Sequence, residues 1–224
     1  MIHTASGIGM TSQRTRARMI DRLREQGIRD EVVLSAMASV PRHVFVEEAL
    51  ASRAYEDTAL PLGCAQTISQ PYVVARMIEV LRRGREATHK GGLGKTLEVG
   101  AGCGYQAAVI ACLTPEIYAI ERIQALIERA KVNMRQIKQF HVRLKHADGQ
   151  LGLPEAAPFD TIILAAAAMH VPPTLLQQLN VGGRMMLPLG TGDQYLVLIE
   201  RTANGFVETR FDAVRFVPLL SGIE

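Results

Sequence analysis

Apolar positions in the first third of the chain recur at helical spacing. Ser12 to Gln26 reads as a helix capped by Ser12 and stopped at Gly27, and Asp30 is placed to cap a second helix running to about Val40, before Pro41. Phe45 to Ala54 is expected to be helical, and Tyr55 to Gln70 reads as irregular. Pro71 to Arg83 is amphipathic; a proline in its first turn costs no hydrogen bond. Gly84 to Gly94 reads as a polar connector. From Lys95 the pattern changes to alternating strand and helix. Strands are expected near Lys95–Val99, Ile117–Ile120, Val142–His146, Phe159–Ala165, Arg184–Leu189, Tyr195–Arg201 and Phe206–Val217. Helices are expected near Gly104–Leu113, Arg122–Gln139 and Pro173–Leu179. Such alternation implies a parallel sheet with right-handed crossovers. No helical pattern separates the last two strands, and Ala203-Asn204-Gly205 signals a turn, so an antiparallel hairpin should close the sheet.

The chain has 224 residues, enough for one domain with a sizeable core. Residues 1–10 read as a flexible leader and 11–224 as a single domain, with 11–94 forming an N-terminal helical segment and 95–224 the sheet. No apolar run approaches the roughly 18 residues of a membrane span, and no signal peptide is visible. Three cysteines, none in a CxxC pair, fit a reducing cytosol and oppose a disulfide framework or zinc site, so a cytoplasmic location is expected. The net charge of +3 is mild. Part of it lies in Arg14, Arg16, Arg18, Arg22 and Arg24, interleaved with Asp21 and Glu25; this reads as a solvated helix face, with contact to nucleic acid or an acidic surface as the alternative.

The run Leu97-Glu98-Val99-Gly100-Ala101-Gly102-Cys103-Gly104-Tyr105 is an apolar strand followed by alternating glycines. Without Cβ atoms the backbone can turn tightly and let a ligand approach, in the crevice at the carboxyl end of the first sheet strand. A dinucleotide fingerprint would place its third glycine at Tyr105, whereas this spacing suits S-adenosylmethionine, which has no pyrophosphate to cradle. Glu121, about 20 residues on, can accept hydrogen bonds from ribose hydroxyls in either cofactor, or be an exposed acid at a helix start. Asp148-Gly149 can present a carboxylate to an adenine amino group or simply form a turn. Glu98 can neutralise a ligand ammonium or sulfonium, or be a strand-end carboxylate. Gly94-Lys95-Thr96 mimics the end of a phosphate-binding loop, but it precedes a strand instead of following one.

The segment after the fourth sheet strand reads Ala165-Ala166-Ala167-Ala168-Met169-His170-Val171-Pro172-Pro173-Thr174, without the Asn or Asp before the prolines and the aromatic after them that amino-group methylation of bases uses. The six histidines show no metal-ligand spacing, so no metal is expected.

Leu60-Pro61-Leu62-Gly63-Cys64-Ala65-Gln66-Thr67-Ile68-Ser69-Gln70-Pro71, Val40-Pro41-Arg42-His43-Val44-Phe45-Val46, the glycine run through Ala108, Ala157-Pro158-Phe159-Asp160, Gly182-Gly183-Arg184, Leu187-Pro188-Leu189-Gly190 and Val214-Arg215-Phe216-Val217-Pro218-Leu219 together resemble the protein-L-isoaspartate (D-aspartate) O-methyltransferase family over nearly everything after Met10. The resemblance implies a Rossmann-like class I methyltransferase: an α/β fold with a mostly parallel seven-stranded sheet, a C-terminal antiparallel hairpin and an N-terminal helical extension. It implies methyl transfer from S-adenosyl-L-methionine, leaving S-adenosylhomocysteine, to the free carboxylate of L-isoaspartyl and D-aspartyl residues in damaged peptides and proteins. The ester then closes to a succinimide that hydrolyses in part to normal aspartate.

The same resemblance makes Ser69 the active-site hydroxyl, with an N-cap of the Pro71 helix as its rival role. It assigns Gln66, Thr67, Ile68, Ser69, Glu98, Gly100, Gly102, Gly104, Gln106, Glu121, Arg122, Asp148 and Gly149 to the cofactor, and Ser69, Val214, Phe216, Val217 and Pro218 to the substrate. The implied partners are isoaspartyl peptides and proteins, with no nucleic acid or membrane partner and a monomeric state. Departures fall at Ala65, Ala147 and Ala165, where the family often has Gly, Gly and Thr, and in a longer connector before Lys95. Another methyltransferase, a nicotinamide oxidoreductase and a non-catalytic binding module are the competing readings.

Overall fold

In the computed structural model, which describes residue 7, residues 9–85 and residues 91–224, the chain opens with α1 (Gln13–Glu25) and α2 (Glu31–Ser39). Ser12 caps α1 by accepting from Thr15 N–H, and Asp30 caps α2 by accepting from Val32 and Val33 N–H. Most of the expected leader (residues 1–6 and 8) and residues 86–90 of the connector before Lys95 fall outside the described residues. The helix expected from Phe45 to Ala54 is instead two short 3₁₀ segments, Arg42–Phe45 and Glu48–Arg53. Phe45 is drawn wholly into the core and Val46 turns extended, which interrupts helical hydrogen bonding.

The stretch read as irregular contains an antiparallel hairpin, β1 (Leu60–Gly63) with β2 (Gln66–Ile68). Strands of four and three residues are too short to display a period. Then come α3 (Pro71–Arg82), β3 (Thr96–Val99), α4 (Tyr105–Ile110), β4 (Ile117–Glu121), α5 (Gln124–Gln136), β5 (Val142–His146), β6 (Phe159–Leu164), α6 (Pro173–Gln177), β7 (Leu179–Leu189), β8 (Gln194–Thr202) and β9 (Gly205–Val214). The main sheet runs β5-β4-β3-β6-β7-β8-β9. Its first five strands are parallel, and β8 is antiparallel to both neighbours. The expected seven-stranded, mostly parallel sheet with a C-terminal hairpin is therefore present. β7 starts five residues earlier than the pattern predicts, because Leu179 pairs with Phe159 across an irregularity. β9 stops at Val214 instead of Val217, because Gln194, its last partner, begins β8.

Side chains alternate across the sheet and feed two cores. Ala119, Ile163, Met186, Leu196 and Leu198 pack under α1 to α5 on one face. Leu97, Val99, Ile162, Leu164, Met185 and Leu187 pack with Leu175 of α6 on the other. The arginine run on α1 is only partly the solvated face expected. Arg16 is buried, donating to the Tyr55 hydroxyl at 3.2 Å and the Ala38 carbonyl at 3.0 Å, while Arg22 donates to the Tyr55 carbonyl. No helix among the described residues is long and apolar enough to cross a membrane.

Cys64 and Ala65, at the tip of the β1–β2 hairpin, have φ of +51° and +54°. Left-handed backbone costs a residue with Cβ roughly 1–2 kcal/mol, partly offset by the smaller freedom of Ala in the unfolded chain. Ala65→Gly is expected to stabilise the protein by about 1 kcal/mol or somewhat less, read as a higher urea midpoint at unchanged slope. A lower midpoint would show that this turn is not strained.

Candidate active site

The turn after β3 is clamped by its neighbours. Gly100 and Ala101 N–H both donate to the Ile120 carbonyl at the end of β4, at 2.9 and 3.0 Å. Glu121, the last residue of β4, accepts from Gly102 N–H at 2.9 Å through one carboxylate oxygen and from Ile123 N–H at 3.0 Å through the other. The buried Asn133 of α5 donates to the Cys103 carbonyl at 2.9 Å. Gly100 and Gly102 have φ of +87° and +53°, which their missing Cβ atoms permit. Gly104 does something else: it is the left-handed residue preceding α4, and a Cβ there would lie 3.0 Å from Met134 and 3.2 Å from Ala130 of α5.

A cleft opens beside this turn, at the carboxyl ends of β3, β4 and β6. Glu98, wholly buried, forms part of its wall. One Glu98 oxygen accepts from Gln106 Nε2 at 3.0 Å, and the other has no partner. Burial pushes this carboxyl up to about 8, opposed by the Gln106 hydrogen bond and assisted by the nearby Glu121 charge. An orphaned buried acceptor at a cleft wall fits a ligand that brings a positive charge.

The β1–β2 hairpin covers the cleft, with Leu62, Gln66, Thr67, Ile68 and Ser69 facing it. Arg129 of α5 ties the hairpin down by donating to the Leu62 carbonyl at 2.9 Å. Ser69 lies between β2 and α3, and its hydroxyl makes no hydrogen bond among the described residues. The N-cap position of α3 belongs to Gln70, and Tyr72 N–H is satisfied by Asp57 Oδ1 at 2.8 Å. The cap role weighed for Ser69 is thus not realised.

A second groove meets the cleft at Thr67, Ser69, Ala165 and Val217. Val214, Phe216 and Tyr72 are among its other walls. Beyond β9 the chain stays extended and pairs with the loop after β6: Ala167 N–H donates to the Val217 carbonyl and Leu219 N–H to the Ala167 carbonyl, both at 2.8 Å. The chain then straps across the far end of the cleft, which Leu219 and Leu220 line. Gly222 N–H donates to Asp148 at 2.6 Å, Arg122 Nε to the Gly222 carbonyl at 3.1 Å, and Glu224 N–H to the Arg122 carbonyl at 2.7 Å.

Of the residues expected at the cofactor, Gln66, Thr67, Ile68, Ser69, Glu98, Gly100, Gly102, Gln106, Glu121, Arg122 and Gly149 come together around the cleft. Gly104 and Asp148 do not line it. Asp148 accepts from Gln150 N–H through one oxygen and from Gly222 N–H through the other, forming an Asx turn and an anchor for the strap. Gly149 has no room for a Cβ, which would lie 2.7 Å from Val99. Among residues expected at the substrate, Val217 and Pro218 touch the cleft, while Val214 and Phe216 line the groove. Asn133, Asp57, Arg129 and the 219–224 strap were not anticipated; each acts on a residue at least 15 positions away, where local patterns carry no signal.

A family model described as Protein-L-isoaspartate(D-aspartate) O-methyltransferase (PCMT) matches residues 14–224. A protein-L-isoaspartate O-methyltransferase of Dechloromonas aromatica (strain RCB) is 72% identical over 224 residues, the full length of both chains. One from Aromatoleum aromaticum is 62% identical over 216 residues, 96% of each chain. A solved protein-L-isoaspartate O-methyltransferase is similar with a TM-score of 0.81 and 27% identity, covering 93% of this chain and 67% of the other. A Plasmodium falciparum structure in complex with S-adenosyl-L-homocysteine shares the fold, with a TM-score of 0.80 at 23% identity over 92% of this chain and 98% of the other.

The raised Glu98 carboxyl has a consequence for stability. Its folded value of about 8 exceeds the ordinary 4.5, so the folded state holds a proton that the unfolded chain has released between those pH values. Stability of the ligand-free protein should therefore fall as pH rises from about 4.5 towards 8. Glu98→Gln should flatten that decline in thermal unfolding followed over this range. Parallel curves for the two proteins would contradict it.

Proposed function

The chain belongs to the protein-L-isoaspartate(D-aspartate) O-methyltransferase family, and from that membership we infer which of its side chains carry out the methyl transfer. The protein methylates the free carboxylate of L-isoaspartyl residues in damaged peptides and proteins, using S-adenosylmethionine, and so starts repair through a succinimide. The observation that carries the residue assignment is the unpartnered Ser69 hydroxyl at the junction of cleft and groove.

Several features fit S-adenosylmethionine in the cleft. The buried free oxygen of Glu98 suits its ammonium group. Glu121 holds the glycine turn, yet a carboxylate has lone pairs left for ribose hydroxyls. Tyr105 stands buried where a dinucleotide site would need its third glycine, which opposes the nicotinamide reading. When bound, S-adenosylmethionine supplies an electrophilic methyl group and is left as S-adenosylhomocysteine.

The substrate carboxylate is already ionised at pH 7, with a reference value near 4, so the site needs no strong general base. Its residues instead orient one carboxylate oxygen in line with the methyl group and strip its water. Such positioning accounts for roughly 7–11 kcal/mol of barrier in well-aligned reactions. Ser69 donates to the carboxylate, and Thr67 with the backbone of Gln66 to Ser69 closes over the donor. Val214, Phe216, Val217 and Pro218 form the peptide-facing wall. Val217 N–H, free among the described residues, can pair with a substrate backbone, a mode that tolerates many side chains. D-aspartyl sites enter by the same route. Residues 11–224 work as one unit in this reading, a cytoplasmic monomer whose partners are peptides and proteins and not nucleic acid or membrane.

Paired peptides that differ only in isoaspartate or aspartate at one position test the specificity: base-released methanol from labelled donor should come from the isoaspartyl peptide alone. Equal labelling would reject it. Ser69→Ala should lower turnover about 10- to 100-fold, the effect of losing a hydrogen bond to a charged group worth roughly 1.5–3 kcal/mol. Wild-type turnover in a variant with a normal melting curve would remove Ser69 from the chemistry.

Donor binding supplies a separate check. An ammonium beside Glu98 favours its ionised form, so binding of S-adenosylhomocysteine near pH 7 should release up to about one proton. Calorimetry in phosphate and in Tris should give different apparent enthalpies, and Glu98→Gln should erase the difference. Identical enthalpies for the wild type would place the ammonium elsewhere.

A further inference from the structure

The groove wall has a structural problem that one side chain solves. After Val214 the chain leaves the β8–β9 ladder, whose last rung is Gln194 with Val214. Phe216 then sits two residues beyond any strand partner, half-buried, with a backbone donor and acceptor to satisfy. Gln194 supplies both. Its Oε1 accepts from Phe216 N–H at 2.6 Å and its Nε2 donates to the Phe216 carbonyl at 3.1 Å. A primary amide offers the same donor and acceptor pair as a peptide group. The side chain therefore replaces the missing strand and extends the ladder by one rung in the direction of the groove.

The arrangement also sorts the backbone of the wall. In an extended chain, successive residues point their N–H and C=O groups to opposite sides. With Phe216 committed to Gln194, the groups of Arg215 and Val217 face the other way, where Val217 carbonyl meets Ala167 and its N–H stays free. Slippage of the wall by one residue would exchange these sets and remove the free donor. The 219–224 strap is fixed by separate bonds to Ala167, Asp148 and Arg122, so the cofactor end of the same segment does not depend on Gln194.

We propose that Gln194 is a positioning residue: its side-chain amide fixes the placement of the Val214–Pro218 wall, and through it the affinity for the isoaspartyl peptide, without acting on donor binding. This rests on the reading of the groove as the peptide site. Gln194→Met keeps the length of the side chain but neither donor nor acceptor, and Gln194→Glu keeps only the acceptor. In Gln194→Met the KM for an isoaspartyl peptide should rise about 10-fold, in line with the loss of two ordinary hydrogen bonds, while kcat and the Kd for S-adenosylhomocysteine stay within about 2-fold. Gln194→Glu should fall between Gln194→Met and the wild type, and recover as pH is lowered and the carboxyl regains a donor. An unchanged peptide KM in a folded Gln194→Met overturns the proposal. So does a parallel rise in the S-adenosylhomocysteine Kd, which would mean general loosening. Failure of the wild type to label isoaspartyl over aspartyl peptide would overturn the groove reading itself, and this proposal with it.

Discussion

The reversal of winding between β3 and β6 is the constraint on which the rest of the molecule depends. From β3 the chain moves to β4 and β5 with α4 and α5 packed on one face; from β6 it moves to β7 with α6 on the other. The connections after β3 and β6 must therefore part, and a crevice opens between them at the carboxyl ends of the strands. Gly100 and Ala165, the residues that follow these two strands, are close enough that a Cβ on Gly100 would lie 3.7 Å from Ala165. The hairpin from the N-terminal segment closes this crevice on one side and the C-terminal strap on the other. The chemistry thus sits at a gap that sheet topology makes unavoidable.

Two fully buried ionisable groups flank the helix that starts at the glycine turn, and the protein treats them differently. Arg42 makes no ion pair among the described residues. It donates to the Ala54 carbonyl at 2.8 Å and lies 4.7 Å from the Tyr105 ring centroid. Burial lowers its affinity for a proton, while the neighbouring Tyr105 raises it. An arginine can be kept charged this way because its intrinsic basicity is so high. It links residues 54–58, the approach to the hairpin, with Tyr105, the first residue of α4. Glu98 has no such margin, so burial tilts it towards its neutral form until a cation arrives. Both keep a buried atom without a partner among the described residues, Arg42 Nη1 and Glu98 Oε2, but only Glu98 stands at the cleft wall.

The legible part of the sequence was the part with local causes. Alternation of strand and helix, the Asn-Gly turn and the caps at Ser12 and Asp30 each depend on a few consecutive residues, and they appear where expected. The glycine turn is legible for the same reason, although the close packing of Gly104 on α5 was not. What stayed hidden depends on distant chain. The Asp148-Gly149 pair was legible as a turn or a ligand carboxylate, but the bond to Gly222 N–H, 74 residues later, was not. The hairpin at residues 60–68 was hidden differently, since Cys64 and Ala65 hold left-handed backbone where turn-forming residues would have announced it.

A repair enzyme must recognise a defect of the backbone in any sequence context, and that requirement constrains the wall more than the cleft. Side-chain pockets would restrict which damaged sites are reached, so discrimination has to come from backbone geometry: a carboxylate displaced by one methylene relative to a normal peptide. Reading such a displacement calls for a wall whose own backbone does not shift. Here the rigidity comes from three directions, the Ala167 bridge, the Gln194 amide and the β8–β9 ladder, all converging within five residues. The Val217 N–H and the Ser69 hydroxyl, both without a hydrogen-bond partner among the described residues, border the junction of groove and cleft. In the function proposed above, their placement at this junction is what would select the carboxylate oxygen that reaches both. On that proposal, specificity for the lesion and tolerance of its surroundings both rest on one feature, an extended segment held by hydrogen bonds on both of its edges.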